Sequence, residues 1–338
     1  MKTIHDQDGS RILQRLRAFI ACFTAVALVS MSLVSGCFNR PEPESPATPP
    51  ASEEPIPGKT EPDENYPEPV SGEQPPEIPP ISTFIIDFDD FLSGDDGSTE
   101  VTGTEQGFPQ ADYPVQVTDL FADGMNAQAE QQNWGFAALN VGFWNTVLFV
   151  GLAIPVASFI ESFNHAPEQQ PDYTWVWSYE VPFEEDTFSA ELHGRFIDTG
   201  VRWEMYISKQ GEYRDFQWYY GESNLPATEG FWILKKSQAD PIDLLRIDWQ
   251  RDITDGSSNI QYTNVVPGGP ENGGYIYYEV TPAGPYDRAY EIYNKGKDNT
   301  TYIEWDSVTQ EGRVRDSRHF GNGDWRCWGT EHEDIECP

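Results

Sequence analysis

Basic side chains are scarce in this chain. Lys and Arg number 21 against 56 Asp and Glu, a formal net charge of -35. So acidic a surface repels phosphate backbones, which excludes nucleic acid as a partner and disfavours adsorption to anionic headgroups. Cysteine is also rare, at four residues. No CxxC pair is formed, which speaks against zinc held by thiolates. Catalytic signatures are missing too: there is no GxSxG elbow, HExxH helix, SxxK or GxxxxGK[ST] loop. His332-Glu333 begins like a zinc helix but lacks the second histidine. His165, His193, His319 and His332 are scattered along the chain. No catalytic residue is therefore assigned, although a Ser-His-Asp set is defined by geometry and not by order.

The amino terminus carries the most specific signal. Arg11, Arg15 and Arg17 precede an uncharged apolar stretch from Ala18 to Val34, and then comes Val34-Ser35-Gly36-Cys37. A basic region, a short apolar region and small residues before a cysteine form an export signal. This segment resembles the lipobox of bacterial lipoprotein precursors, which signal peptidase II reads. The resemblance implies cleavage before Cys37 and a covalent lipid on its thiol as the only attached group. It also implies a membrane partner reached through that anchor. In that family an aspartate after the cysteine favours the inner membrane; Phe38 here points to the outer membrane, on its periplasmic side or at the cell surface. Two or three acyl chains, at ~0.8 kcal/mol per buried methylene, hold essentially without release.

Beyond the anchor, residues 37–80 read as a lipidated cysteine followed by a disordered linker. Fourteen of the 27 prolines lie between Pro41 and Pro80. Proline and like charge keep such a segment extended, giving a reach on the order of 100 Å. Residues 81–133 read as an amino-terminal arm, with Phe84-Ile85-Ile86-Asp87-Phe88 as a candidate strand. Asp87, Asp89, Asp90, Asp95 and Asp96 form an acidic cluster in it. A calcium loop needs alternating oxygen ligands and a distal carboxylate. Asp87, Asp89, Asp95 and Asp96 are weak candidates, because the EF-hand spacing is absent and a solvated turn explains them as well.

Residues 134–338 read as one domain. No charged residue lies between Glu130 and Glu161. Trp134 to Phe163 is thus apolar nearly all round, the mark of a buried or membrane-spanning helix. Asn140, Asn145 and the missing basic flanks favour a buried one, and Pro155 should kink it or end its first half. From Tyr173 the period changes to two, as in Trp175, Trp177, Tyr179 and Val181. About eleven such segments follow, ending at Gly312 to Arg318, separated by Gly-, Asn- and Asp-rich turns. No room is left for crossover helices, so neighbours pair antiparallel. The expected fold is mainly β (α+β): an antiparallel meander forming a curved sheet or open barrel around one long apolar helix. The Trp134 to Cys337 region also resembles uncharacterised secreted bacterial proteins that join a helix to a tryptophan-rich meander, a resemblance that implies no activity.

Two further features bear on function. Cys22 leaves with the signal peptide and Cys37 takes the lipid, so Cys327 and Cys337 remain as an even pair, read as a disulfide. Trp175, Trp177, Trp203, Trp218, Trp249 and Trp305 either fill the concave side of the sheet or form a stacking platform. Arg313, Arg315 and Arg318 concentrate positive charge; they pair with Asp316, Glu304 or Asp306, or else dock an anion. The function expected is a lipid-anchored cell-envelope lipoprotein whose β-domain, without enzymatic activity, binds an envelope protein or serves a structural role. The alternatives are a carrier of lipid or another hydrophobic ligand, and an envelope hydrolase.

Overall fold

The computed structural model describes residues 74–86, 91, 131–183 and 186–338. Cys37 and the acidic cluster of Asp87, Asp89, Asp90, Asp95 and Asp96 lie outside them. The fold is mainly β. Among the described residues fourteen strands form one antiparallel sheet in strict sequence order, with β1 (Glu168–Gln169) and β14 (Asp334–Ile335) as its two edges. The edges do not pair with each other, so the sheet stays open. The eleven long strands, β2 (Trp175–Phe183) to β12 (Gly312–Asp316), are those that alternation marks out. The three additions, β1, β14 and β13 (Arg326–Trp328), span two or three residues each.

Alternation decides which face is buried. Trp177, Tyr179, Val181 and Phe183 of β2 turn inward, as do Trp203, Met205 and Ile207 of β4 (Gly200–Lys209). The same inner face carries Trp232, Trp249, Tyr262, Tyr290, Trp305 and Trp328. Indole rings need room that a flat apolar row does not provide, and glycines on neighbouring strands supply it. A Cβ at Gly221 would sit 2.5 Å from the Trp232 ring and 2.1 Å from the Phe231 carbonyl oxygen. At Gly312 it would sit 2.2 Å from the Trp328 ring. Glycine in a strand interior marks this kind of close approach.

The apolar stretch, whose helix Pro155 was expected to kink or to end after its first half, forms two helices. α1 (Gln132–Gly151) and α2 (Ala153–Ser162) meet at Leu152, whose φ of -110° and ψ of 8° break the helical path. The cause is Pro155, which has no N–H for the Gly151 carbonyl and whose ring clashes with that carbonyl. In α2 the proline occupies the first turn, where its missing donor costs little. α1 packs against β12, β13 and β14, while α2 packs against β2 and β3 (Asp186–Ile197). The helix pair thus reaches both ends of the sheet. Phe143 of α1 is 44% exposed, so this helix keeps a solvent side. Among the described residues no helix is long and apolar enough to cross a membrane.

The concave face is also covered by something composition hides. Pro76 and Pro79, read from the sequence as linker, are buried. Pro76 lies by Gly194 of β3; a short 3-10 turn follows at Ile81–Thr83, and no strand forms over Phe84 to Ile86. The Phe84 ring stacks on Phe159 of α2 at 5.1 Å and meets Tyr219 of β5 (Tyr213–Ser223) at 5.0 Å. It also meets Trp232 of β6 (Glu229–Lys235) at 5.8 Å. The Tyr262 hydroxyl of β8 (Ser258–Asn264) donates to the Phe84 carbonyl at 3.1 Å, and Trp232 Nε1 donates to the Thr83 hydroxyl at 3.2 Å. From β2, the Tyr179 hydroxyl donates to the Ser158 carbonyl in α2, next to Phe159. In a flat sheet six strand spacings would hold β2 and β8 roughly 29 Å apart. Their convergence on one Phe84–Phe159 cluster requires strong curvature. Seven residues on, Phe91 reaches Trp305 at 4.5 Å and Trp328 at 6.3 Å. Short arm segments therefore line the hollow of the sheet from β3 to β13.

Candidate functional site

The carboxy-terminal end of the sheet is where polar chemistry concentrates, and its geometry follows from a need of α1. That helix starts at Gln132 with no side-chain cap of its own and no acidic residue in its first turn. Its orphan N–H groups need acceptors. Asp334 supplies one from 201 residues away: its Oδ1 accepts from Asn133 N at 2.9 Å. A carboxylate at a helix N-terminus also faces the positive end of the helix dipole. Asn133 Nδ2 donates to the Cys327 carbonyl at 2.9 Å, and Gln131 Nε2 to the Glu331 carbonyl at 3.2 Å. Trp134 stacks on His332 at 4.2 Å, and burial lowers the pKa of that histidine, opposed by the charge of Glu333. Cys327 and Cys337 form a disulfide, with Cα atoms 5.2 Å apart, and fasten the tail to β13.

Between these parts lies an open groove of about 510 Å³, lined by Gln132, Asn133, Phe320, Trp325, Arg326, Asp334, Ile335, Glu336 and Cys337. Both of its aromatic rings are already covered by side chains, and Arg326, also in the lining, lies over the Phe320 ring at 5.7 Å. Arg313 and Arg315 place their guanidinium groups 4.3 and 4.6 Å from the centre of the Trp325 ring. Phe320 packs edge-on against Phe136 of α1 at 5.3 Å. A second groove of about 280 Å³ lies at the far ends of β6 to β9 (Tyr275–Val280), with Glu229, Asp252, Glu279 and Arg251 among its residues.

The arginines singled out by sequence do different things. Arg313 makes a forked ion pair with Glu304, at 2.7 Å from Nε and 2.6 Å from Nη2. Arg315 stacks on Tyr302 at 4.4 Å as well as on Trp325. Arg318 donates to the Lys297 carbonyl at 3.0 Å. Asp316 pairs with none of their guanidinium groups; it caps α3 (Ser317–Phe320) by accepting from the backbone of Arg318 and His319, and it accepts from Thr301 and Asn299. Burial alone would raise its pKa, but these hydrogen bonds outweigh burial and lower it. Asp306 binds the backbone of Val308 and Thr309 in a turn.

Of the candidate tryptophan platform, Trp177, Trp203, Trp249 and Trp305 are buried on the inner face, so these four are core. Trp175 and Trp218 are half-buried. The histidines stay apart. His165 contacts Glu161, His193 contacts Glu191, His319 stacks on Phe136, and His332 stacks on Trp134. Among the described residues no three potential metal ligands come together. Sequence reading passed over Trp325 and Phe320 as parts of a site. Their only signal was their place beside the arginine-rich strand β12 and the cysteine pair. No family model, curated protein or solved structure matches this chain.

Proposed function

We propose that the protein is a lipid-anchored cell-envelope lipoprotein whose β-domain binds a partner at its surface, without catalysis. The anchor rests on the order of basic, apolar and small residues that ends at Cys37. The surface mode of binding rests on one observation: the hollow of the sheet holds protein side chains. Phe84 and Phe91 are buried there among Phe159, Tyr219, Trp232, Trp305 and Trp328. A lipid carrier would need that space for its ligand, so the carrier reading loses ground. Partners then meet the grooves and the outer face, held away from the membrane by the proline-rich tether.

Metabolic labelling with palmitate tests the anchor. The wild-type chain should incorporate label and fractionate with membranes, and Cys37→Ser should remove the label and leave uncleaved precursor. Normal acylation of that variant would defeat the assignment. Titration with a fluorescent fatty acid tests the filled hollow, and saturable stoichiometric binding would restore the carrier reading.

A further inference from the structure

The turns of a meander alternate between its two ends, and here the two sets differ in kind. At one end β5 runs into β6, β7 (Asp243–Arg251) into β8 and β11 (Asn299–Trp305) into β12, and these turns present Leu225, Ile253 and Val308. They are the three most exposed large apolar side chains among the described residues, at 63, 70 and 86%. Tyr173, in the turn from β1 to β2 at the same end, is 46% exposed. One exposed apolar residue is ordinary on a protein surface. Four on one rim are a pattern, because among the described residues the turns of the opposite rim expose no large apolar side chain. That rim carries lysine instead: Lys209, Lys235, Lys236, Lys295 and Lys297 are all the lysines of the described residues.

The apolar tips are held stiffly by their own turns. Asn224 Oδ1 accepts from Thr228 N at 2.8 Å, Asp252 Oδ1 from Thr254 N at 2.7 Å and Asp306 Oδ1 from Val308 N at 3.0 Å. Tips fixed in this way lose little freedom on docking. Neighbouring turns of one rim lie about 10 Å apart, two strand spacings. The sheet is curved, so its rim is an arc, and tips on an arc can rest on a plane. The anchor side of the chain arrives at this same end. Pro76 packs at Gly194, three residues from the β3 end at this rim and eight from the other, or about 10 against 26 Å. Gln74 and Pro75, which lead back toward Cys37, are exposed. Carboxylates dominate the rim. Backbone N–H groups of Ser257 and Thr309 lower the pKa values of Asp255 and Asp306, which keeps both charged, and Arg288 is paired with Asp287. Such a rim repels anionic headgroups.

We propose that this rim rests on the lipid surface to which Cys37 is anchored, on zwitterionic headgroups, with Tyr173, Leu225, Ile253 and Val308 as shallow apolar contacts. The proposal rests on the reading of Cys37 as the anchor and adds where the domain sits. The tether sets the farthest reach of the domain and not its resting place, and the outer face stays open to partners.

The test uses the full lipidated protein in phosphatidylcholine vesicles. Ile253→Cys and, on the opposite rim, Lys297→Cys each carry an environment-sensitive fluorophore, attached without reductant. Phosphatidylcholine with a nitroxide high on its acyl chain serves as the quencher. The label at position 253 should shift to the blue and be quenched, and the label at 297 should stay as it is in detergent. Leu225→Asp, an exposed change that leaves the fold intact, should lower the docked-to-free ratio read at 253 ~10-fold. Replacing a third of the lipid with phosphatidylglycerol should lower it further. A label at 253 that is not quenched, or is quenched no more than that at 297, would overturn the proposal and leave a partner protein as the occupant of the rim. Quenching that Leu225→Asp does not weaken would show the fluorophore inserting by itself and would overturn it too. Palmitate labelling of Cys37 is read separately, so failure here leaves the anchor standing.

Discussion

Replacing Phe84 with Ala removes the ring at the centre of the inner cluster. Phe84 has 0% exposure and touches Phe159, Tyr219 and Trp232 within 5.8 Å. Phe→Ala in a packed core costs ~3–5 kcal/mol, from lost transfer energy and from the cavity left behind. The neighbours here are large rings on a hydrogen-bonded sheet, which collapse poorly into a void, so the upper half of that range is expected. About 4–5 kcal/mol is a large share of the ~5–15 kcal/mol that holds a typical domain folded. The melting temperature should fall by roughly 8–20 °C. Urea denaturation followed by tryptophan fluorescence reads the change, because Trp232 lies in the same cluster. The midpoint should drop with little change in slope. A loss below ~1 kcal/mol, the size of an ordinary surface change, would mean that the arm does not share the core of the sheet.

Two further predictions concern the carboxy-terminal end. Replacing Cys327 and Cys337 together with Ser opens a bridge of sequence separation 10 and should cost roughly 2.5–3 kcal/mol on the chain-entropy model, read by the same denaturation; thiol titration of the unreduced, denatured protein should find neither cysteine free. Asp316, whose pKa is lowered in the fold, adds stability that is present in full above the unfolded carboxylate value of ~3.9 and is lost as pH falls through its folded value. Wild type should therefore lose stability below about pH 4 by more than Asp316→Asn does, and equal acid sensitivity of the two would remove Asp316 from the account.

The strands from β2 to β12 were legible because each shows at least a few turns of period-two alternation, and because the sheet puts one face in water. β1, β13 and β14 were not, since two or three residues carry no period. The break at Leu152 follows from Pro155, which marks the stretch 134–163 for a kink or an end to its first half, and two helices result. The arm was hidden for a different reason. Pro76, Pro79 and Thr83 are unremarkable in a proline-rich stretch, and their burial depends on strands more than one hundred residues away. Local composition cannot report a long-range cover. The same holds for the groove: Asp334 meets Asn133 across 201 residues. Arg313 and Arg315 were visible as concentrated charge. That both lie over the Trp325 ring depends on the pairing of β12 with β13.

Hydrogen–deuterium exchange on the full chain tests most directly whether the arm is part of the folded core. The backbone N–H groups of Thr83, Phe84 and Ile85 bond to Pro80 and Ile81 within 3.1 Å, and Thr83 and Phe84 are buried beneath the sheet. If the arm belongs to the core, these amides open only with the whole domain and should exchange as slowly as those of β6 and β8. Exchange of the 83–85 amides within seconds, while β6 and β8 stay protected, would show the arm detached and the hollow of the sheet open.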